Sequence, residues 1–278
     1  VLLVIGAIDD KKDIRASYKL VVQLLCAVII AMAGYRLTSF HGILGIYDIS
    51  LVAQYILSVI LITGVINAFN LMDGIDGLAG GLMLIGFMIL ATISYYIGHE
   101  FYTMLCLIVA GSLISFLRFN VFSIKHKIFM GDAGSLFLGF LMIGIGIDLI
   151  NIASKDAIGA EVIWLLPLII AVFIIPVADS LRVYYTRIKN GNSPFKADRS
   201  HIHHLFLELG LKHTKVTFII SMLSLSLVIL AFLFHFIWTL DIILLGIVAI
   251  LSIMYYILNI NKQVNEWQQK IKQMESQM

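Results

Sequence analysis

Amide and carboxylate side chains interrupt an otherwise apolar chain at residues 67–78, which read NAFNLMDGIDGL. Two asparagines and two aspartates recur there at every third position: Asn67, Asn70, Asp73 and Asp76. On a continuous helix each step of three turns a side chain by about 300°, so the four would spread around the axis. Gly74 and Gly77 also weaken a helix. We predict a helix that ends here and opens into a loop, with its polar groups directed at one cavity.

Two further stretches carry acids beside apolar runs. In AIDDKKDI, Asp9 and Asp10 are adjacent, so on a helix they do not face the same way. One can point into a site while the other braces it or meets solvent; a charged span end without a site is the alternative. In KIFMGDAGS, Asp132 lies near glycines at a predicted helix start, where an acid can cap the helix or reach a ligand. Phe129 in the same stretch is either an interfacial anchor or a platform on which a base stacks.

A histidine-rich stretch, PFKADRSHIHHLF, holds His201, His203 and His204 close to Lys196 and Arg199. Such a histidine run could bind a transition metal. No cysteine lies nearby, however, and the neighbouring cations favour an anionic ligand. We therefore predict that this stretch handles phosphate or sugar and does not bind zinc; a solvated polar loop is the alternative.

The elements that must position these residues are membrane spans. The chain has 60% hydrophobic and 13% charged residues, against about 25% charged in a soluble domain. A spanning helix needs about 20 mostly apolar residues. We predict an all-α polytopic bundle forming one transmembrane catalytic domain over 1–278, with eight complete spans near 18–36, 50–66, 78–97, 102–117, 133–150, 163–183, 214–236 and 240–259. Residues 1–8 read as the tail of another span, so we expect helices upstream of them.

Loop charges give the orientation. Of the 19 Lys and Arg residues, all but Arg36 and Lys155 fall on one side of the predicted spans. This asymmetry follows the positive-inside rule, which makes that side cytoplasmic. The polar stretches described above all lie on it. We therefore predict a multi-pass membrane protein whose active site is at the cytoplasmic face.

Carboxylates with oxygen-rich neighbours suit a hard cation, chiefly Mg²⁺, which usually brings substrate phosphates with it. A site at the depth of the lipid headgroups implies one lipid-borne and one water-soluble substrate. The residues alone thus indicate Mg²⁺-dependent phosphoryl transfer onto or from a membrane lipid.

Four signatures resemble those of the polyprenyl-phosphate N-acetylhexosamine-1-phosphate transferases, a glycosyltransferase 4 type family with WecA, TagO and MraY branches. They are IDDKKDIRASYKL, NAFNLMDGIDGLAGG, KIFMGDAGSLFLGF and SPFKADRSHIHHLFLELG. The resemblance covers essentially the whole chain, and DRSHIHH is closer to the WecA and TagO branch. It implies transfer of a sugar 1-phosphate, with GlcNAc favoured, from a UDP-N-acetylhexosamine to undecaprenyl phosphate. UMP is released, and a lipid-linked cell-envelope glycan is started. The resemblance therefore also implies a location in the bacterial inner membrane.

The resemblance also implies roles for residues. Predicted catalytic residues are Asp9, Asp10, Asp73 and Asp76. Predicted substrate-binding residues are Lys12, Asn67, Phe129, Arg199, His201, His203 and His204. Predicted ligands of Mg²⁺, for which Mn²⁺ can substitute, are Asn70 and Asp132. Phe129 would stack on uracil. The expected partners are the two substrates and membrane lipid, not nucleic acid, and a homodimer is left open.

Two features depart from the family pattern. The segment VFSIKHKI after Asn120 stands where the family often has a shorter Pro-Ala segment, which puts the position of Asn120 in doubt. The helices expected upstream of Asp9 are not in the sequence. The alternatives are an MraY-like phospho-MurNAc-pentapeptide transferase, a CDP-alcohol phosphatidyltransferase and a lipid carrier or transporter. The second expects an Arg soon after the first Asp-Gly, which DGIDGLAGG lacks, and a transporter would place charges near the bilayer midplane.

Overall fold

The structure, a computed structural model, describes residues 1–12, 14–155, 162–194 and 200–275. These residues form ten α-helices and one short 3₁₀ turn, Ile43–Gly45. The helices are α1 (Leu2–Lys12), α2 (Ala16–Met32), α3 (Leu51–Met72), α4 (Leu78–Tyr96), α5 (Glu100–Val121), α6 (Gly131–Lys155), α7 (Val162–Lys189), α8 (Ile202–Glu208), α9 (His213–Phe234) and α10 (Leu240–Glu275). Within the described ranges the β-structure is a single bridge between Ser39 and Asp48. The all-α prediction is confirmed.

Seven of the described helices are long and apolar enough to cross a membrane: α3, α4, α5, α6, α7, α9 and α10. They coincide with seven of the eight predicted spans, and the chain is a multi-pass membrane protein. The remaining prediction, 18–36, corresponds to α2, an apolar helix of 17 residues. It ends four residues earlier than predicted, because the chain turns at Gly34, whose φ is 107°.

Three helices form the centre of the bundle. In the most apolar 18-residue stretch of each helix, 61–67% is buried within the protein for α4, α6 and α7. The corresponding share is 22% for α5 and 28% for α10. Helix α3 joins this centre through its last turns, where the Phe69 ring meets the edge of Phe173 from α7 at 6.2 Å between centroids. Van der Waals packing of this kind drives helix association where lipid is as apolar as the side chains.

The polar stretches lie at helix ends on one side of the bundle. Helix α3 stops at Met72, and residues 73–77 turn before α4 begins, which confirms the predicted helix end. Side-chain contacts then join the end of α1 to the starts of α2 and α6, and the end of α7 to α8 and α10. The fold therefore gathers residues distant in sequence at one end of the bundle.

Candidate active site

An ammonium group links two of the predicted acids. Lys19 Nζ lies 2.7 Å from an oxygen of Asp9 and 2.5 Å from an oxygen of Asp132. The other Asp132 oxygen accepts a hydrogen bond from the Asn70 amide at 2.9 Å, and that amide also donates to Ser135 Oγ at 3.0 Å. The ends of α1, α2, α3 and α6 thus meet around one carboxylate. We call Asp9, Asp10, Asp73, Asp132 and Lys19 the acid cluster.

Asp10 has a different role from its neighbour. Its two oxygens accept hydrogen bonds from the backbone amides of Asp132 at 2.8 Å and Ala133 at 3.2 Å. These are among the amides that a helix start leaves without an internal partner. Asp10 therefore caps α6 from another helix, and its negative charge suits that position. As the adjacent-acid argument anticipated, one acid of the pair faces a charged group and the other braces the structure.

Gly131 makes this brace possible. It has φ 64°, a left-handed conformation that residues with a side chain rarely adopt. A Cβ atom added there would lie 2.6 Å from an oxygen of Asp10. The glycine before Asp132 is thus needed for both its backbone conformation and its lack of a side chain.

The acids are close enough to affect one another. Burial, together with the charges of neighbouring acids, raises the pKa of Asp73 to about 7, although the backbone amide of Gly131 acts in the opposite direction. Those acids are Asp132, Asp10 and Asp76. A cation in their midst would relieve this repulsion. The concentration of negative charge is therefore compatible with a divalent ion.

The donor chemistry also fits Mg²⁺. Within the described ranges, no three His, Cys, Asp or Glu side chains converge as a ready-made metal cage. Mg²⁺ does not require one, because it commonly takes one or two protein ligands and completes its shell with water and phosphate oxygens. Asp132 offers carboxylate oxygens. Asn70 can offer its amide oxygen at the same place, because rotating the amide by half a turn exchanges its nitrogen and oxygen.

A second ionic contact lies at the predicted nucleotide end of the site. Lys127 Nζ is 2.6 Å from an oxygen of Asp76 and 5.4 Å from the centre of the Phe129 ring. The Phe129 side chain is exposed, so one face of the site carries an aromatic surface beside an acid and a cation. Thr217 from α9 holds the loop in place by donating to the Asp76 carbonyl at 2.7 Å.

Asn120 fixes the two loops that carry these groups. Its buried amide accepts from the Gly77 backbone amide at 2.6 Å and donates to the Ile128 carbonyl at 2.8 Å. The longer segment that put its position in doubt does not displace it from the site. Instead, Asn120 ties the turn after α3 to the segment before α6.

The three histidines pack together beside the turn after α3. The His201 and His203 rings are stacked with centroids 5.9 Å apart, and those of His203 and His204 are 4.2 Å apart. Both ring nitrogens of His203 are buried, and neither has a hydrogen-bond partner among the residues that the structure describes. A Cβ atom added at Gly74 would lie 2.6 Å from His203 Nε2. We call His201, His203 and His204 the histidine cluster.

The electrostatics of His203 keep it neutral. Burial, reinforced by the adjacent His204 and His201, lowers the pKa of His203 to about 3. A neutral imidazole has one donor and one acceptor nitrogen. At physiological pH the cluster can therefore offer His203 as a hydrogen-bonding group for a ligand, and not as a fixed positive charge.

The remaining predicted residues occupy varied positions. Lys12 is exposed at the end of α1. Asn67 lies one turn before Asn70, and its amide donates to Gln23 Oε1 at 2.6 Å and to the Thr63 carbonyl at 2.9 Å. The structure thus places Asn67 against α2, away from the direct contacts of the acid cluster. Arg199 lies outside the described residues.

Sequence reasoning missed charged residues of the site, among them Lys19, Lys127 and Asp179. Lys19 was counted only as one of the cations on its side of the membrane, although a base at the start of an apolar span is a candidate partner for the acids before it. Asp179 lies within the apolar helix α7 and contacts His201. An acid inside a predicted span is itself a functional signal, and it could have singled out this residue.

The fold and the site define a polytopic helical membrane protein with carboxylates, amides and histidines gathered at one end of the bundle. The model of glycosyl transferase family 4 matches residues 1–150, which is more than half of the chain, and the chain belongs to that family. The family predicted from the four signatures is confirmed.

Curated relatives agree with this assignment. The chain is 30% identical over 244 residues to the undecaprenyl-phosphate alpha-N-acetylglucosaminyl 1-phosphate transferase of Escherichia coli strain K12, covering 85% of this chain and 65% of that protein. It is 32% identical over 213 residues to the protein of the same name from Yersinia pestis, covering 75% and 56%. A probable undecaprenyl-phosphate N-acetylglucosaminyl 1-phosphate transferase of Bacillus subtilis is 32% identical over 229 residues, covering 81% and 60%. The matched region thus spans less than two thirds of each relative.

Proposed function

We propose that this protein transfers N-acetylglucosamine 1-phosphate from UDP-N-acetylglucosamine to undecaprenyl phosphate and releases UMP. The observation that carries the proposal is the meeting of Asp9, Lys19, Asn70 and Asp132 at one end of a membrane bundle. The names of the relatives supply the acceptor and the sugar phosphate. The UDP donor comes from the family resemblance.

The reaction exchanges one phosphorus–oxygen bond for another. An oxygen of the lipid phosphate attacks the phosphorus that bears the sugar, and the bond from that phosphorus to the bridging oxygen breaks. UMP leaves with the bridging oxygen, and the lipid carries the sugar through a new pyrophosphate. The attacking phosphate is already anionic, so the protein's work is positioning and charge neutralisation.

Asp132 and Asn70 are the residues that would hold Mg²⁺, or Mn²⁺ in its place. An ion bound there would neutralise negative charge on the pyrophosphate. Asp10 acts through the start of α6, because its hydrogen bonds to Asp132 N and Ala133 N fix the backbone from which the Asp132 carboxylate projects.

The other residues divide between the two substrates. Asp9 and Lys19 sit where the ends of α1 and α2 meet, and we assign them to the lipid phosphate. Phe129 presents an exposed ring for uracil, with Asp76 and Lys127 beside it. The histidine cluster, lying against Gly74, handles the sugar phosphate.

The decisive experiment is a turnover assay on the purified full-length protein with undecaprenyl phosphate and a panel of UDP-sugars. We expect UMP and lipid-linked sugar in equal amounts from UDP-N-acetylglucosamine, and loss of both when EDTA removes the metal. Product from UDP-MurNAc-pentapeptide alone would replace the proposed donor with that of the MraY branch. Lipid binding without UMP from any donor would identify a carrier and overturn the proposal.

We also propose that the protein lies in the bacterial inner membrane with its site on the cytoplasmic side. The loop charge asymmetry supports this orientation. After Cys26 and Cys106 are replaced, single cysteines at positions 42 and 156 should react with an impermeant reagent added from outside. Cysteines at positions 125 and 192 should react only after lysis. Outside labelling at 192 would overturn the orientation.

A further inference from the structure

The most completely bonded carboxylate in the described part of the protein is Asp179, in the second half of α7. Its side chain is fully buried and is contacted by four groups. The donors are His201 Nδ1 at 2.8 Å, Arg182 at 2.9 Å, the Ile202 backbone amide at 3.0 Å and the Tyr255 hydroxyl at 3.2 Å. A buried acid is stable only when paired and hydrogen-bonded, and these contacts satisfy it.

The contacts converge on the residues that begin α8. His201 occupies the N-cap position but makes no capping bond to its own helix. Asp179 supplies the missing acceptor from α7 by receiving the Ile202 amide. Arg182 also fixes the backbone segment that leads into α8, because it donates hydrogen bonds both to the Ser200 carbonyl and to Asp179. The guanidinium also lies 4.6 Å from the Tyr255 ring centre, which joins α10 to the group.

The same carboxylate determines which ring nitrogen of His201 carries the proton. A hydrogen bond from one ring nitrogen to a carboxylate fixes the tautomer, so Nδ1 holds the proton. His201 Nε2 is then left as the other hydrogen-bonding atom, and it is buried with no partner in the described ranges. The ring in turn stacks parallel to His203, at an interplanar angle of 4°. His203 lies against Gly74, next to Asp73 of the acid cluster.

From this geometry we infer that Asp179 is a positioning residue for the sugar-phosphate half of the site. It acts through His201: it fixes the ring and its tautomer, and through the stacked rings it sets His203 against Gly74. This inference rests on the proposed function for its chemistry, since the group served is the sugar phosphate of the donor. The positioning itself is a property of the protein and can be measured without turnover.

The activity test compares Asp179→Asn with Asp148→Asn. Asp148 is another intramembrane acid, accepts from Tyr102 at 2.6 Å, and lies on α6 sixteen residues from Asp132, about 24 Å along the helix. We expect Asp179→Asn to lower kcat by about 10²-fold, the scale of misplacing a reacting group by 1 Å, with little change in KM for the UDP-sugar. Asp148→Asn should leave kcat near normal. Equal kcat in Asp179→Asn and wild type would overturn the inference.

The second measurement needs no activity. Diethyl pyrocarbonate modifies neutral imidazoles, and peptide mass spectrometry gives a rate for each histidine. We expect His201 and His203 to react at least ~5-fold faster in Asp179→Asn, because the ring loses its anchor, while His99 near the opposite end keeps its rate. A uniform rise at every histidine, with a parallel fall in Tm, would show a merely structural role and overturn the inference.

Two outcomes remain to be separated. If wild type shows no transfer from any UDP-sugar but labelling of His201 and His203 alone is faster in Asp179→Asn, the proposed function fails and the positioning role stands.

If Asp179→Asn does not fold, Tyr255→Phe withdraws one of the four donors and leaves the carboxylate in place. We then expect a smaller increase in labelling confined to His201 and His203. Unchanged labelling in a folded Tyr255→Phe protein would overturn the inference.

Discussion

The acid cluster and the histidine cluster differ in how their ionisable groups are paired and buried near the membrane. In the first, Asp9 and Asp132 share one ammonium, and burial together with the charges of neighbouring acids raises the pKa of Asp73. Beside the second, the buried carboxylate of Asp179 accepts four hydrogen bonds, and among the described residues both ring nitrogens of His203 and Nε2 of His201 have no partner. The acid cluster is thus suited to exchange its cation for another. The histidine cluster is suited to stay fixed while a ligand arrives.

The largest loss of turnover is expected from a change in the acid cluster, at Asp132. We expect Asp132→Asn to lower turnover by at least ~10²-fold, the scale of losing a focused electrostatic contact in catalysis. The measurement is UMP release at saturating UDP-sugar across a Mg²⁺ titration, with folding checked by thermal melting in detergent. Asp48→Asn, the same change in an exposed loop, should do almost nothing. A folded Asp132→Asn protein with near-normal turnover at every Mg²⁺ concentration would remove Asp132 from the metal site.

The rigidity of the histidine cluster is tested at Gly74. Its φ is not in the left-handed region, so alanine there brings no backbone strain. The added Cβ would meet His203 Nε2 at 2.6 Å and push the ring away. We expect Gly74→Ala to reduce turnover about 10-fold through misplacement of that ring. Gly64→Ala is the matched control, because its Cβ meets nothing within 4 Å; equal turnover in both variants would mean that the position of His203 is unimportant.

A pH experiment tests the burial of His203. Its pKa is lowered to about 3 in the folded protein, from about 6.5 for an ordinary histidine. Between these values the unfolded state binds more protons, so this residue's contribution to stability falls as the pH falls. From pH 7.5 to 5.5 we expect wild type to lose about 1 kcal/mol more than His203→Gln, seen as a larger drop in Tm. Equal drops would show that His203 is not held neutral.

The smallest effect is expected at Asn67, which was predicted from sequence to bind substrate. Asn67 and Asn70 are the same residue type on one helix, but only Asn70 contacts Asp132. Replacing Asn67 by Ala removes a neutral hydrogen bond to Gln23, worth about 1 kcal/mol. We expect turnover to fall less than ~3-fold in Asn67→Ala and much further in Asn70→Ala, both assayed as UMP release. The reverse order would place Asn67 in the substrate site.

Local signals and contacts between distant segments differ in how far the sequence reveals them. Hydropathy and the glycines around Asp73 were enough to predict the spans and the end of α3, because both depend on neighbouring residues. The partnership of Lys19 with Asp132 joins residues 113 positions apart, and that of Asp179 with His201 depends on how α7 meets α8. No periodicity encodes such pairings. They emerge only when the helices pack.

Gly131 has a consequence for how this protein can change over time. Any other residue there would need both a relaxed backbone and a displaced Asp10, and no single substitution provides the two together. The position is therefore closed to stepwise variation. In a library that randomises residues 129–134, we expect the active variants to carry glycine at position 131, whichever donor sugar is used in the selection. Glycine at this position would thus be a marker of intact contact between α1 and the start of α6.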